Sequence, residues 1–153
     1  MRQLVQLLGS IVALIGTSAV HADSPYPGVE NMQRAEVNYM LNCQGCHGPT
    51  GAGTDDGSVP VMTDFVAKFL NVDGGREFLV QVPGSANAAL TDERLAEVMN
   101  WMLFRVSPDQ VPAGFSPYTT QEVGALRKSP LSDVEAVREN LVEQIELHKK
   151  DAT

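Results

Sequence analysis

Cys43-Gln44-Gly45-Cys46-His47 is the stretch of sequence that decides the fold. Its two cysteines stand three positions apart, so one helical turn brings both thiols together, and a histidine follows at once. A structural zinc site needs about four ligands, whereas the whole chain contains two cysteines and three histidines. No strand–helix–strand pattern surrounds Cys43, which disfavours a thioredoxin-like dithiol. A redox-active dithiol or a local disulfide stays an alternative, but it leaves His47 without a role.

The same spacing is typical of covalent haem attachment. In that interpretation Cys43 and Cys46 each add to a vinyl group of haem, and His47 is the proximal axial ligand of the iron. The iron then supplies the redox chemistry, while the polypeptide holds and tunes it. We therefore predict one covalently attached haem c per chain.

The N-terminus has the features of an export signal. Arg2 precedes a largely apolar run from Leu4 to Val20, and small residues at Val20 and Ala22 come just before Asp23. This pattern predicts a cleavable signal peptide over residues 1–22. A retained anchor is disfavoured because the run is interrupted and falls short of the ~20 apolar residues that a span requires. We expect a periplasmic protein with no membrane attachment after cleavage.

The charge of the chain is strongly acidic. It has 11 Lys and Arg against 19 Asp and Glu, a formal net charge of −8. This balance argues against nucleic acid or an anionic membrane as a partner. It suggests electrostatic steering toward a basic docking patch on a redox protein, such as a periplasmic dehydrogenase or oxidase. Solubility alone is an equally good explanation of the charge.

Apolar periodicity predicts an all-α protein, because runs of alternating strand character are absent. The predicted helices span residues 29–42, 63–70, 75–82, 92–106 and 133–149. The N-terminal helix has an apolar stripe of Met32, Ala35, Tyr39 and Met40. Several helix starts have capping signals, namely Thr63, Thr91, Thr119 with Glu122, and Ser132 with Glu135. The last helix has one apolar face, made of Val134, Val137, Leu141 and Ile145.

From Tyr26 to Val106 the chain resembles a class I cytochrome c. Four parts carry the resemblance in order: the helix ending in Cys43-Gln44-Gly45-Cys46-His47-Gly48, the turn Gly51-Ala52-Gly53, the segment Val59-Pro60-Val61-Met62, and the helix that begins Leu90-Thr91-Asp92-Glu93 and carries Trp101. The resemblance implies a helical haem domain over residues 23–106, built around one covalently bound haem. Residues 107–153 form a C-terminal helical extension beyond that domain.

The resemblance also implies roles for individual residues. Cys43 and Cys46 match the thioether positions, and His47 matches the proximal ligand. Pro60 matches the proline whose carbonyl accepts the histidine Nδ1–H, a bond that fixes the imidazole tautomer. Three further residues match packing positions of the two crossing helices, namely Gly28, Tyr39 and Trp101.

The distal ligand of the iron is where the sequence departs from the family. The family methionine usually lies in the loop before the last core helix, but residues 71–89 contain no methionine, histidine or cysteine. Met102 is the first candidate, followed by Met99 and then by Met62, which occupies a slot that resembles a proximal one. At helical spacing, methionines are more often core residues. An iron without a distal protein ligand is therefore a real alternative, and His148 is expected to be solvated.

These observations favour an electron carrier and not an enzyme. Two alternatives stay open: a haem subunit tightly bound to a periplasmic dehydrogenase, and a ligand-binding or peroxidatic haem protein with an open distal site. The extension over residues 107–153 either covers the core with its apolar helix face or serves as a docking arm for a partner.

Overall fold

Two crossing helices organise the structure. In the computed structural model, which describes residues 24–151, every regular element is a helix. The α-helices are α1 Met32–Asn42, α2 Gln44–His47, α3 Gly75–Gln81, α4 Pro83–Ala86, α5 Asp92–Val106, α6 Thr120–Leu126 and α7 Val134–Asp151. Two short 3₁₀ helices lie at Val66–Asn71 and Pro108–Gln110. The all-α prediction is confirmed, and the predicted signal peptide over residues 1–22 lies outside the described residues.

The contact between α1 and α5 is held by an aromatic pair and a glycine. The rings of Tyr39 and Trp101 lie 5.4 Å apart, and both side chains are buried. Gly28 precedes α1 with φ +73° and lies directly against the Asn100 side chain, which donates to the Gly28 carbonyl at 3.2 Å. The absence of a Cβ is therefore what permits this close approach. Met40 differs from the predicted stripe, since it is 52% exposed.

Helix starts follow local capping chemistry, with two corrections to the predictions. Thr91 caps α5 as predicted, accepting from the Arg94 amide at 3.3 Å. Thr63 caps nothing, because its hydroxyl donates to the Thr50 carbonyl at 2.6 Å. Asp133, and not Ser132, accepts from an amide of the first turn of α7, that of Ala136. The Pro83-Gly84 pair begins α4, as proline at the first position of a helix allows.

The start of the C-terminal extension folds back onto the haem-domain helices. Asn100 of α5 accepts from the Tyr118 amide at 2.8 Å and donates to the Tyr118 carbonyl at 3.0 Å. Arg127 donates to three main-chain carbonyls at the end of α4 and in the turn before α5, those of Ala86, Ala88 and Leu90. The first of these bonds satisfies the carbonyl at the last residue of α4, where a helix leaves carbonyls without a partner.

Helix α7 packs against the 3₁₀ helix Val66–Asn71 and against α3. Leu141 and Ile145, from the predicted apolar face, are buried, while Val134 and Val137 are half-buried. The structure therefore supports the interpretation in which the extension covers the core. No helix within residues 24–151 combines the length and the hydropathy that a bilayer span requires.

The crossing of α1 and α5 gives a first prediction. Gly28→Ala should lower the free energy of unfolding by about 3 kcal/mol, because the new Cβ meets Asn100 and Pro117 at a left-handed φ. Gly114→Ala is the matched control, since its Cβ meets nothing within 4 Å, and it should change stability by less than about 0.5 kcal/mol. Guanidinium denaturation of both variants measures the difference. Equal stabilities would contradict the role given to Gly28.

The ion pair between Arg76 and Glu122 gives a second prediction. Arg76 Nη2 donates to Glu122 Oε2 at 2.8 Å, and these hydrogen bonds lower the pKa of Glu122 below its ordinary value of 4.5. Because the folded-state pKa is depressed, the stabilisation is complete above about pH 4.5 and is lost as pH falls through the folded-state pKa. The Glu122→Gln variant should therefore lose less stability than the unmodified protein as the pH falls. Denaturation at a series of pH values measures this loss. The exposed Glu139→Gln should leave that loss unchanged, and identical pH profiles for the two variants would contradict the prediction.

Candidate functional site

A mostly apolar cavity of about 360 Å³ lies beneath α2. Its lining includes Cys43, Cys46 and His47, which stand on the one turn singled out by the sequence. Side chains from α3, α5 and the 3₁₀ helix Val66–Asn71 form the apolar walls, among them Phe69, Phe78, Leu79, Leu95 and Val98. The volume falls within the range of sites for small molecules and cofactors. The residues that the motif predicts to be functional therefore lie at one site.

Main-chain hydrogen bonds set the geometry of the motif. The amides of Cys46 and His47 both donate to the Cys43 carbonyl, at 3.2 and 3.0 Å, which forms a single tight turn. Both thiols are free; Cys43 is half-buried and Cys46 is exposed. Burial, and then the neighbouring Cys46, raise the pKa of the Cys43 thiol to about 11. The two cysteines thus stand on the same turn and both line the cavity, although Cys46 is the more exposed residue.

The imidazole of His47 is half-buried and has a nitrogen without a hydrogen-bond partner among the described residues. Burial lowers the pKa of His47, so the uncharged ring that binds metal ions is the favoured form. Its Nδ1 atom is buried and has no hydrogen-bond partner within residues 24–151. A buried polar atom without a partner is costly, and such atoms are often found at functional sites.

Pro60 lies on the same cavity. The loop before it bends at Gly53, which has φ +71° and whose amide donates to the His47 carbonyl at 3.1 Å. A Cβ at Gly53 would come within 2.9 Å of the Pro60 carbonyl oxygen. The glycine therefore lets the Pro60 backbone approach the segment that follows His47. The hydrogen bond from His47 Nδ1 to the Pro60 carbonyl is not formed in the structure, where Nδ1 has no partner within residues 24–151, and it stays a prediction of the resemblance.

All three candidate methionines line the cavity. Met62 lies beside the loop that follows His47, since its amide donates to the Gly51 carbonyl at 2.7 Å. Met99 and Met102 lie one turn apart on α5 and are both buried. The Met99 sulfur accepts from the Ser85 hydroxyl at 4.0 Å, whereas Met102 has no hydrogen-bond donor on its sulfur among the described residues. The Met99 sulfur thus has a weak polar contact that the Met62 and Met102 sulfurs lack within this part of the chain, and the order of the three candidates stays a prediction.

The structure adds residues that the sequence did not single out for the site. The Tyr39 hydroxyl donates to the Gly48 carbonyl at 2.8 Å and so fixes the loop after His47. Val134 and Arg138 reach the cavity from α7, although residues 107–153 were expected to lie outside the haem domain. Their spacing of four positions places both on one helix face, but the spacing does not show what that face covers. His148, in contrast, lies near the end of α7, is exposed, and is not part of the lining.

The donor set fits covalently bound haem. The site has two thiols on one turn and the His47 imidazole, whose Nδ1 has no hydrogen-bond partner among the described residues. Its cavity is apolar and is lined by methionines. No cluster of three or more histidine, cysteine, aspartate or glutamate side chains within residues 24–151 could hold a bare metal ion. The zinc interpretation of the motif therefore has no support from the described part of the chain.

Comparison with known proteins points in the same direction. A cytochrome c-552 of Thermus thermophilus is 31% identical to the chain over 130 residues, covering 73% of this chain and 87% of the relative. Another cytochrome c-552 of the same species is 31% identical over 115 residues, covering 63% of this chain and 87% of the relative. No protein-family model matches the chain. No solved structure matches it either.

The methionine geometry gives a third prediction. Met102→Leu should abolish the long-wavelength charge-transfer band of methionine–iron coordination in the oxidised protein, because leucine keeps the volume but removes the sulfur. Met99→Leu is the matched control one turn away and should retain the band. Absorption spectra of the two oxidised variants make the comparison. Loss of the band in Met99→Leu alone would assign the distal ligand to Met99. Absence of the band from the unmodified protein would indicate an open distal position.

Proposed function

Because the chain belongs to the class I mono-haem cytochrome c family, we propose that it carries single electrons between redox partner proteins through one covalently bound haem. The observation that carries the proposal is the placement of Cys43, Cys46 and His47 on the wall of one apolar cavity. Bound haem supplies the one-electron iron couple. The polypeptide then has to attach it, ligate it and shield it from water.

Each residue of the motif has a defined task in this proposal. Cys43 and Cys46 each add an S–H bond across a vinyl group, which forms a thioether with no leaving group. His47 supplies the proximal nitrogen, and Pro60 accepts the Nδ1–H through its carbonyl so that the ring keeps one tautomer. Met102 supplies the distal sulfur. No general acid, general base or nucleophilic triad is needed, which agrees with a carrier and not an enzyme.

The surface of the protein suits transient docking. Cys46 is exposed, so one attachment point of the cofactor lies where a partner can approach. The formal net charge of −8 steers encounters toward a basic patch on a donor or acceptor. Leu141 and Ile145 are buried within the chain, so this part of the apolar face of α7 is covered by contacts inside the protein. This burial favours a free carrier over a subunit permanently attached to a dehydrogenase through that arm.

The proposed location is the periplasm. The basic start at Arg2, the apolar run from Leu4 to Val20 and the small residues before Asp23 support export with cleavage after residue 22. In an oxidising compartment two unpaired thiols would form a disulfide unless another reaction consumes them. Covalent attachment consumes both.

A ligand-binding or peroxidatic function is the second candidate. It is favoured by one observation: the segment over residues 71–89, which forms the loop and short helices before α5, contains no methionine, histidine or cysteine. If Met102 and Met99 both act only as core residues, the distal position is open to small ligands.

The optical spectrum separates the two candidates and is the fourth prediction. Protein purified from the periplasmic fraction should show a low-spin spectrum that carbon monoxide does not change after reduction. A high-spin spectrum that shifts with carbon monoxide would replace the carrier with the ligand-binding function. A double variant, Cys43→Ala with Cys46→Ala, is the control for attachment and should lose haem on acid–acetone extraction. Absence of haem from the unmodified protein would overturn both candidates.

A further inference from the structure

We propose that Arg138 of the C-terminal extension binds a carboxylate of the cofactor, so that α7 is part of the haem site. The inference rests on the proposed function, since it requires that haem occupies the cavity. Haem carries two propionate side chains, and each is a carboxylate at neutral pH. Arg138 lines the cavity together with Val134, which lies one turn earlier on the same helix.

Among the described residues that line the cavity, Arg138 is the one with a permanently charged side chain. The remaining polar contributions come from uncharged groups, including Asn42, Ser58 and Ser85. Arg138 is only half-buried, and pairing with an opposite charge would offset the part of its hydration that the apolar cavity removes. The composition of the lining therefore points to an anion at this position when the site is filled.

Arg138 differs from most arginines of the chain. Arg34, Arg76, Arg94 and Arg127 each form a salt bridge with an acidic side chain. Arg138 is half-buried and forms neither a salt bridge nor a hydrogen bond with any group in residues 24–151. Its five N–H donors are thus free for a carboxylate, which a guanidinium binds in a two-pronged geometry.

The position of Arg138 is fixed by packing. Leu141 and Ile145 follow it by three and seven positions on α7, and both are buried against the core. Residues with this spacing share one helix face, so burial of the pair directs Arg138 toward the same side. The chain has a formal net charge of −8, which disfavours the binding of two further negative charges, those of the haem propionates. A nearby positive charge on Arg138 would reduce this repulsion.

The reduction potential measures this contact, and it gives the fifth prediction. Arg138→Gln should lower the midpoint potential of the haem, because removal of a nearby positive charge favours the ferric over the ferrous state. Arg138→Lys keeps the charge and should restore most of the loss. Lys128→Gln is the control, since it makes the same charge change at an exposed residue of the extension that does not line the cavity. Its effect should be small, because solvent screens it.

A second readout follows the carboxylate itself. Redox-difference infrared spectra should show a propionate band that moves in Arg138→Gln and not in Lys128→Gln. Equal potentials and unmoved bands in haem-loaded Arg138→Gln would overturn the inference and leave the proposed function intact. Absence of haem from the unmodified protein, measured as the pyridine haemochrome, would instead overturn the proposed function and this inference together.

Discussion

The apolar cavity beneath α2 is the constraint on which the rest of the structure depends. Large buried side chains such as Phe69, Phe78 and Met102 form walls around this space and do not fill it. Native domains have a small net free energy of unfolding, about 5–15 kcal/mol. Contacts between the walls and a bound group therefore belong to the folding energetics, because a ligand that binds only the native state stabilises that state. In the proposed function, covalent attachment at Cys43 and Cys46 would make this stabilisation permanent.

The C-terminal extension follows from the same constraint. A cavity open on one side would expose apolar walls to water, which is unfavourable. Helix α7 closes that side with Val134 and is held in place by Leu141 and Ile145. The Arg127 bonds to the chain before α5 and the Asn100 bonds to Tyr118 fix where the extension returns. The predicted haem domain and the extension are separate segments of the sequence, but residues from both segments line the cavity.

Sequence reasoning predicted the features that local chemistry determines. The motif at residues 43–47, the Thr91 cap and the helix through Trp101 depend on neighbours a few positions away, and the structure has the turn, the cap and the helix where they were expected. Features that depend on distant partners were harder to predict. Thr63 bonds to Thr50, which its capping pattern does not reveal. The place of Arg138 at the cavity required the path of the whole extension, because no local pattern shows what a helix covers.

The spacing of apolar residues predicts which side chains are buried more easily than it predicts which side chain ligates the iron. The distal side of the site shows why. Met99 and Met102 share an apolar face of α5, and both are buried as that periodicity predicts. Ligation depends instead on where each sulfur atom points, which is set by neighbours outside the helix. Ser85 of α4 donates to the Met99 sulfur, and this contact, made between residues 14 positions apart, separates two methionines that the helical pattern treats alike. A methionine ligand from α5 would also tie the iron to the helix that crosses α1. The Tyr39–Trp101 contact and the ligand field would then depend on the same packing, so that displacement of α5 would disturb both.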